Sequence, residues 1–265
     1  MTGTPWQLQL VKRSLKKKEK LKLLEKNLVV KPSFAILDLG CAQGILSYFL
    51  RQKGGLWVSA DQDFINLKTS QALLKKNIIQ SGPSGLPFKS QSLDMVVSLD
   101  YLEHLENDEL CLQEIHRILK EEGQLVLATP RTGRFFILHK LRSLLGMKME
   151  FYGHKREGYS LKDLREKLGR ANFFIEKHKT FSYFISEFLE LLLNVFYVKF
   201  FSKEVPVGLR DGKIRPSTSI EFDSRQRAFK LYSIIYPFVW LLSRLDKLFF
   251  FQRGYGLMVW AKKTR

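Results

Sequence analysis

Two carboxylates and a turn of small residues are the parts of this chain best suited to chemistry. The apolar run Ile36-Leu37-Asp38-Leu39 carries one acid, and Gly40, Ala42 and Gly44 follow at alternate positions ahead of a helical stretch from about Ile45 to Arg51. Small residues let backbone N–H groups approach a ligand closely, and a helix that starts there aims its positive end at the same point. The second acid, Asp61, ends the run Leu56-Trp57-Val58-Ser59-Ala60. It stands about 20 residues after the turn, where a strand-end carboxylate meets ribose hydroxyls in open α/β sheets. An ionised carboxylate can accept from two hydroxyls, and such charge-assisted bonds are strong. A nucleotide-like ligand is therefore expected at the carboxyl edge of a parallel sheet. Dinucleotides that carry hydride are disfavoured, because their fingerprint is Gly-x-Gly-x-x-Gly and here the third small residue comes one position early. Asp63 reads as a helix cap.

Further motifs follow in order: Leu86-Pro87-Phe88, the strand-like Leu93-Asp94-Met95-Val96-Val97-Ser98, the dipeptide Glu103-His104, and Lys120-Glu121-Glu122-Gly123-Gln124-Leu125. From Ile36 to about Lys177 this set resembles the class I S-adenosylmethionine-dependent methyltransferases, in the branch that contains the ubiquinone and menaquinone type enzymes. The resemblance implies S-adenosylmethionine as cofactor, with Asp38, Gly40, Ala42 and Gly44 around it and Asp61 on its ribose. Ala42 stands where the family has its middle glycine. Gly82 and Pro83 depart further, since relatives place there an Asp and an N–H that contact adenine, and proline has no N–H. Gln80, Ser81, Ser84 or apolar packing is then expected to hold the ring, and a catalytically silent scaffold becomes a competing reading.

Methyl transfer from a sulfonium needs in-line placement of the acceptor and little else. For a hydroxyl or phenol a base helps, and His104 is the leading candidate, with Glu103 able to support its charged form. A histidine that only fixes the loop by hydrogen bonds is an equal alternative. His154, between Tyr152 and Tyr159, is the second candidate. No metal is expected: Cys41 and Cys111 are the only cysteines and offer neither metal-ligand spacing nor a disulfide framework, which favours a reducing compartment and packing roles.

The elements that must position these groups alternate along the chain. Strands are expected near 35–39, 56–60, 77–80, 93–98, 123–128, 173–181 and 255–261, and helices near 8–27, 45–52, 64–76, 107–119, 134–146 and 161–170. Alternation of this kind argues an α/β fold, a doubly wound and mostly parallel seven-stranded Rossmann-like sheet. By resemblance its last strand is antiparallel. The expected organisation is a basic amphipathic N-terminal helix over 1–31, the cofactor-binding core over 32–181, a helical insert over 182–253 and the closing strand over 254–265. An unstructured insert of that length would be unusual, so it should fold or bind something.

The formal net charge of +18 asks for an anionic partner. Lys12, Arg13, Lys16, Lys17, Lys18 and Lys20 crowd the N-terminal helix, and Arg131, Arg134, Lys140, Arg142 and Lys148 interleave with Phe135, Phe136, Ile137 and Leu138. Basic helices with bulky apolar faces suit an interfacial membrane binder. The insert is too interrupted, by Glu187, Glu190 and Lys199 and then by Pro237, to supply the roughly 20 apolar residues of a spanning helix. No signal peptide is expected. The reading is a cytoplasmic enzyme, peripheral to an anionic membrane, acting on a lipidic or lipid-linked small molecule. RNA methylation is the alternative explanation of the charge, although no nucleic-acid binding module is recognisable.

Overall fold

The structure, a computed structural model, describes residues 5–133, 136–145, 153–201, 222, 226–249 and 253–264. Contributions expected of Arg134, Phe135, Lys148 and Tyr152 lie outside them. The strands are β1 (Ala35–Leu39), β2 (Leu56–Asp61), β3 (Ile78–Gln80), β4 (Leu93–Leu99), β5 (Leu119–Pro130), β6 (Phe173–Phe181) and β7 (Gly256–Lys263). The helices are α1 (Trp6–Lys12), α2 (Leu15–Asn27), α3 (Ile45–Arg51), α4 (Phe64–Leu74), α5 (Asp108–Ile118), α6 (Ile137–Leu144), α7 (Leu161–Arg170), α8 (Phe184–Phe201) and α9 (Gln226–Ser243).

One sheet of order β3-β2-β1-β4-β5-β7-β6 holds all seven strands, with β7 antiparallel to both neighbours and the other six running one way. Successive residues alternate between its faces. Val96, Leu125, Leu127, Leu257 and Val259 enter one core, while Met95, Val97, Val126, Met258 and Trp260 enter the other. Burial on both faces is why these strands read as nearly unbroken apolar runs. Leu112 and Ile115 of α5 and Leu164 and Leu168 of α7 cover the first face; Leu24 of α2 and Leu50 of α3 cover the second.

The chain lays down β1, adds β2 and β3 on one side, and returns to the other side with β4. Ligands of open α/β sheets bind outside the carboxyl ends of the strands at such a reversal. The turn after β1, Asp61 at the end of β2, and the segment after β4 all meet there.

Local signals account for most boundaries. Asp63 caps α4 by accepting the Ile65 N–H at 2.7 Å, and Ser160 and Asp163 form a reciprocal capping box on α7. One expectation fails at the N-terminus, where the single helix over 8–27 is two. Ser14 separates them by accepting the Lys17 N–H at 3.3 Å, a cap that competes with helix continuation. The fifth strand also starts earlier than expected, because Leu119 pairs with Leu93 ahead of a register shift.

Between β6 and β7 the insert folds as α8 and α9 followed by a 3₁₀ turn, Arg244–Phe249. Asp246 accepts the N–H groups of Ile185 at 2.7 Å and Ser186 at 3.0 Å, placing a negative charge at the start of α8. Leu191 of α8 packs with Phe136, Leu138 and Tyr255, and Tyr236 and Val239 of α9 pack on Leu15 of α2. Phe136 and Leu138 are therefore core residues, which corrects the expectation that they face lipid; Ile137 between them is 67% exposed. No helix among the described residues is long and apolar enough to cross a membrane.

Candidate active site

After Leu39 the chain turns through Gly40 (φ +80°), Ala42 (φ +47°) and Gly44 (φ +74°) into α3. A Cβ on Gly40 would stand 2.4–2.8 Å from ring and Cβ atoms of Tyr101. Glycine at this place lets the Tyr101 ring lie against the turn. The Ala42 N–H donates to one oxygen of Asp61 at 2.8 Å, and the other oxygen accepts from the Asp63 N–H at 2.9 Å and the Asn66 side chain at 3.3 Å. Turn and strand-end acid are thus one unit.

Asp38 lies beneath that unit, buried, accepting from the hydroxyls of Ser47 and Ser59. Burial pushes its carboxyl up to about 6, against the pull of those hydroxyls and of Arg51. On the next strand Gln80 pairs with Asp61 in register, and the Ser81 N–H donates to the Asp61 carbonyl at 3.0 Å. The Gln80 side chain is exposed and donates to the Gln62 carbonyl at 3.1 Å.

Three residues expected to be catalytic come together beyond β4. Glu103 and His104 sit in a 3₁₀ turn, and the His104 and His154 rings meet edge to face with centroids 4.7 Å apart. His104 Nδ1 lies 3.0 Å from the Gly153 carbonyl oxygen. The loop carrying His154 is tethered: the Lys155 N–H donates to the Glu103 carbonyl at 2.8 Å, and Arg156 donates to Asp108 at 2.7 Å and to the Leu105 carbonyl at 2.8 Å. Burial lowers the pKa of both imidazoles, that of His154 to about 3 with His104 and nearby cations adding to the effect. Both are neutral at pH 7. Glu103 is fully buried and its carboxyl is pushed up, burial outweighing the pull of Lys20.

A layer of charge roofs this cluster. Lys20 of α2 is buried, forms an ion pair with Asp100, and its ammonium is pushed down by burial. Beside it Glu187 of α8 accepts from Arg142 at 2.8 Å, Lys16 at 3.2 Å and Ser182 at 2.8 Å. Sequence reading missed Tyr101, Lys20 and Glu187 as site residues. For Lys20 a signal exists: Lys16, Lys20 and Leu24 are spaced four apart on one helix face, and Leu24 is core.

Fold and site geometry together resemble those of a class I methyltransferase domain. Residues 37–127 match the family described as Methyltransferase domain. The malonyl-[acyl-carrier protein] O-methyltransferase of Hamiltonella defensa is 31% identical over 124 residues, covering 45% of this chain and 46% of that protein. The ubiquinone/menaquinone biosynthesis C-methyltransferase of Blochmanniella pennsylvanica is 34% identical over 119 residues, covering 41% and 47%. The chain spans about half the length of the curated relatives it matches. The solved YcgJ protein of Bacillus subtilis shares the fold at TM-score 0.57 and 12% identity, covering 92% of this chain and 98% of its own. Over residues 37–127 the chain carries a methyltransferase domain, and there it is similar to the class I S-adenosylmethionine-dependent methyltransferases, with relatives of the ubiquinone/menaquinone type among them; that similarity makes S-adenosylmethionine the cofactor to test against the site.

The residues present fit that cofactor. The Tyr101 hydroxyl is buried without a hydrogen-bond partner and lies close enough to Asp61 for that charge to raise its pKa, after burial. Asp61 accepts three N–H bonds, and a carboxylate offers about four lone-pair directions, so a ribose hydroxyl still finds an acceptor.

Proposed function

We propose that the chain transfers a methyl group from S-adenosylmethionine to a lipidic or lipid-linked small-molecule acceptor at an anionic membrane surface. The observation that carries this reading is the outer face of α9 and of the turn after it. Ile234, Phe238, Leu241, Leu245 and Leu248 recur at helical spacing and are 43–70% exposed. Soluble monomers rarely expose a contiguous apolar stripe of this kind without a function for it. Lys230, Arg244 and Lys247 flank the stripe, in a chain of net charge +18. Apolar insertion combined with basic flanks is the chemistry of interfacial binding to anionic lipid. The other face of α9, through Tyr236 and Val239, rests on α2, the helix that sends Lys20 into the site. Stripe and site roof belong to one layer. Relatives named for a malonyl carrier-protein substrate and for quinone biosynthesis support an acceptor of this class.

In this reading S-adenosylmethionine supplies a methyl group on an already activated sulfur, and the protein supplies placement and a dry site. Asp61 would hold the ribose, the backbone of Gly40 to Gly44 and the start of α3 would face the amino-acid portion, and the Tyr101 hydroxyl would find its missing partner there. Gln80 and Ser81 would flank the adenine. Glu103, His104 and His154 face the acceptor side, and α2 with α8 keeps water out.

Sedimentation with vesicles of phosphatidylserine and phosphatidylcholine tests the proposal. The protein should pellet with them and be released only in part by salt, since salt screens charge but leaves inserted side chains in place. Serine at Ile234, Phe238 and Leu241 together should abolish pelleting while leaving S-adenosylmethionine affinity intact. Unchanged pelleting by that variant, or steeply salt-dependent RNA binding with no vesicle binding, would overturn it.

A further inference from the structure

Glu103, His104 and His154 each present one ligand atom, and these atoms lie within 4.8 Å of one another. Three observations make this more than a chance cluster. First, Glu103 is fully buried, and neither oxygen of its carboxylate has a hydrogen-bond partner. A buried carboxylate left so is costly and calls for a cation. Second, the Gly153 carbonyl can only accept, so His104 Nδ1 carries the ring proton and donates to it, leaving the Nε2 lone pair free to bind. Metal-binding imidazoles are commonly oriented by such a second bond to a backbone carbonyl. Third, the loop tethers from Lys155 and Arg156 hold His154 against His104, so the trio is assembled by the fold itself.

We propose that Glu103, His104 and His154 bind a divalent transition-metal cation, with its remaining coordination positions open to the acceptor. Two imidazoles and one carboxylate form a donor set used by zinc and by non-haem iron. Ligands at about 2.0–2.2 Å from an ion stand roughly 3.0–3.5 Å apart, so the trio must contract by little more than about 1 Å. Both imidazoles are only partly buried, which leaves one side of the site accessible. Lys20, held by Asp100, and after it Lys16 are the cations whose charge bears on Glu103, and an entering ion would compete with them. The sequence expectation of no metal rested on the spacing of the two cysteines, whereas these ligands come from two distant segments that form no motif. The role of the ion rests on the methyl-transfer reading: it would select acceptors that offer an oxygen, a hydroxyl or a phenol, and position that oxygen.

The test uses the full chain stripped with a chelator and titrated with Co²⁺, whose visible absorption reports imidazole and carboxylate ligation. One equivalent should saturate the signal, and Zn²⁺ should displace it. Glu103→Gln and His154→Asn should each weaken binding at least tenfold, and Lys20→Met should tighten it. Calorimetry with S-adenosylmethionine, run without metal, separates the two readings: His154→Asn should bind the cofactor like the unmodified protein. No Co²⁺ signal from the unmodified protein, or equal affinity in His154→Asn, overturns the site. His154 lies on a partly exposed loop, so its variant serves even if Glu103→Gln fails to fold.

Discussion

Replacing Glu187 by glutamine should loosen the roof of the site and lower stability by an amount that depends on pH. Glu187 is 1% exposed and accepts from Arg142, Lys16 and Ser182 at 2.8, 3.2 and 2.8 Å. Glutamine keeps the shape but leaves two half-buried cations facing a neutral amide. Removing one partner of a buried ion pair costs about 3–5 kcal/mol. Glu190 stands 3.9 Å from Lys16 and retains part of the compensation, which puts the expected loss near the lower end, about 3 kcal/mol. Burial alone would raise the Glu187 carboxyl, but Lys16 and Arg142 outweigh it and hold it well below the usual range. A carboxyl depressed in the folded state stabilises fully above its unfolded pKa and loses that contribution as pH falls through the folded value. The gap between the two proteins should therefore be full at pH 7 and shrink below about pH 4.5. In urea the midpoint should fall by about 1 M or more at pH 7, taking a denaturant slope of roughly 1–3 kcal/mol/M. Equal midpoints at pH 7, or a gap that stays constant down to pH 3, would refute the reasoning.

Asp61→Ala should weaken S-adenosylmethionine binding by about ten- to a hundredfold, the loss of charge-assisted hydrogen bonds worth roughly 1.5–3 kcal/mol; calorimetry that shows unchanged affinity removes the ribose assignment. Asp38 has the opposite sign to Glu187, since burial raises its folded pKa to about 6. Its contribution to stability declines as pH rises from about 4 to 6. Asp38→Asn should erase that slope and raise stability at pH 7 by about 1–3 kcal/mol, read as a higher urea midpoint, and a lower midpoint would show that ionised Asp38 is needed where it stands.

The meeting of the residues proposed to hold the cofactor was legible because they are local in sequence. Asp38, the turn from Gly40 to Gly44 and Asp61 belong to one strand–helix–strand unit, whose repeat length fixes their spacing. The acceptor half is built differently. Lys20, Asp100, Glu103, His154 and Glu187 come from four segments, and their meeting depends on how α2 and α8 settle over the sheet. A pattern reading assigns lysines on a basic helix to solvent, whereas Lys16 and Lys20 continue the buried face of Leu24 and find acids there. The lipid-facing reading of Phe136 and Leu138 failed for a related reason. Phe136, Ile137 and Leu138 are consecutive and cannot share one helix face, so only the position of α8 decides which of them are covered. Ser14 shows the reverse case, a local cap strong enough to divide a helix whose apolar pattern runs straight through it.

The way the excursion between β6 and β7 begins and ends has a consequence for how the chain can vary. Phe181 and Gly256 are paired across the two strands, and the Tyr255 N–H donates to the Ser182 carbonyl at 2.7 Å. A side chain at Gly254 or Gly256 would come within 2.4 Å of Phe181, so both ends are cinched at a neck that tolerates nothing larger than glycine. Everything beyond the neck is a closed detour. Lengthening a closed loop costs only about 0.6 kcal/mol per doubling, and no strand need slip to absorb the change. The side proposed to receive the acceptor can thus be rewritten by insertion, deletion or exchange of whole helices while the half proposed to hold the cofactor keeps its register.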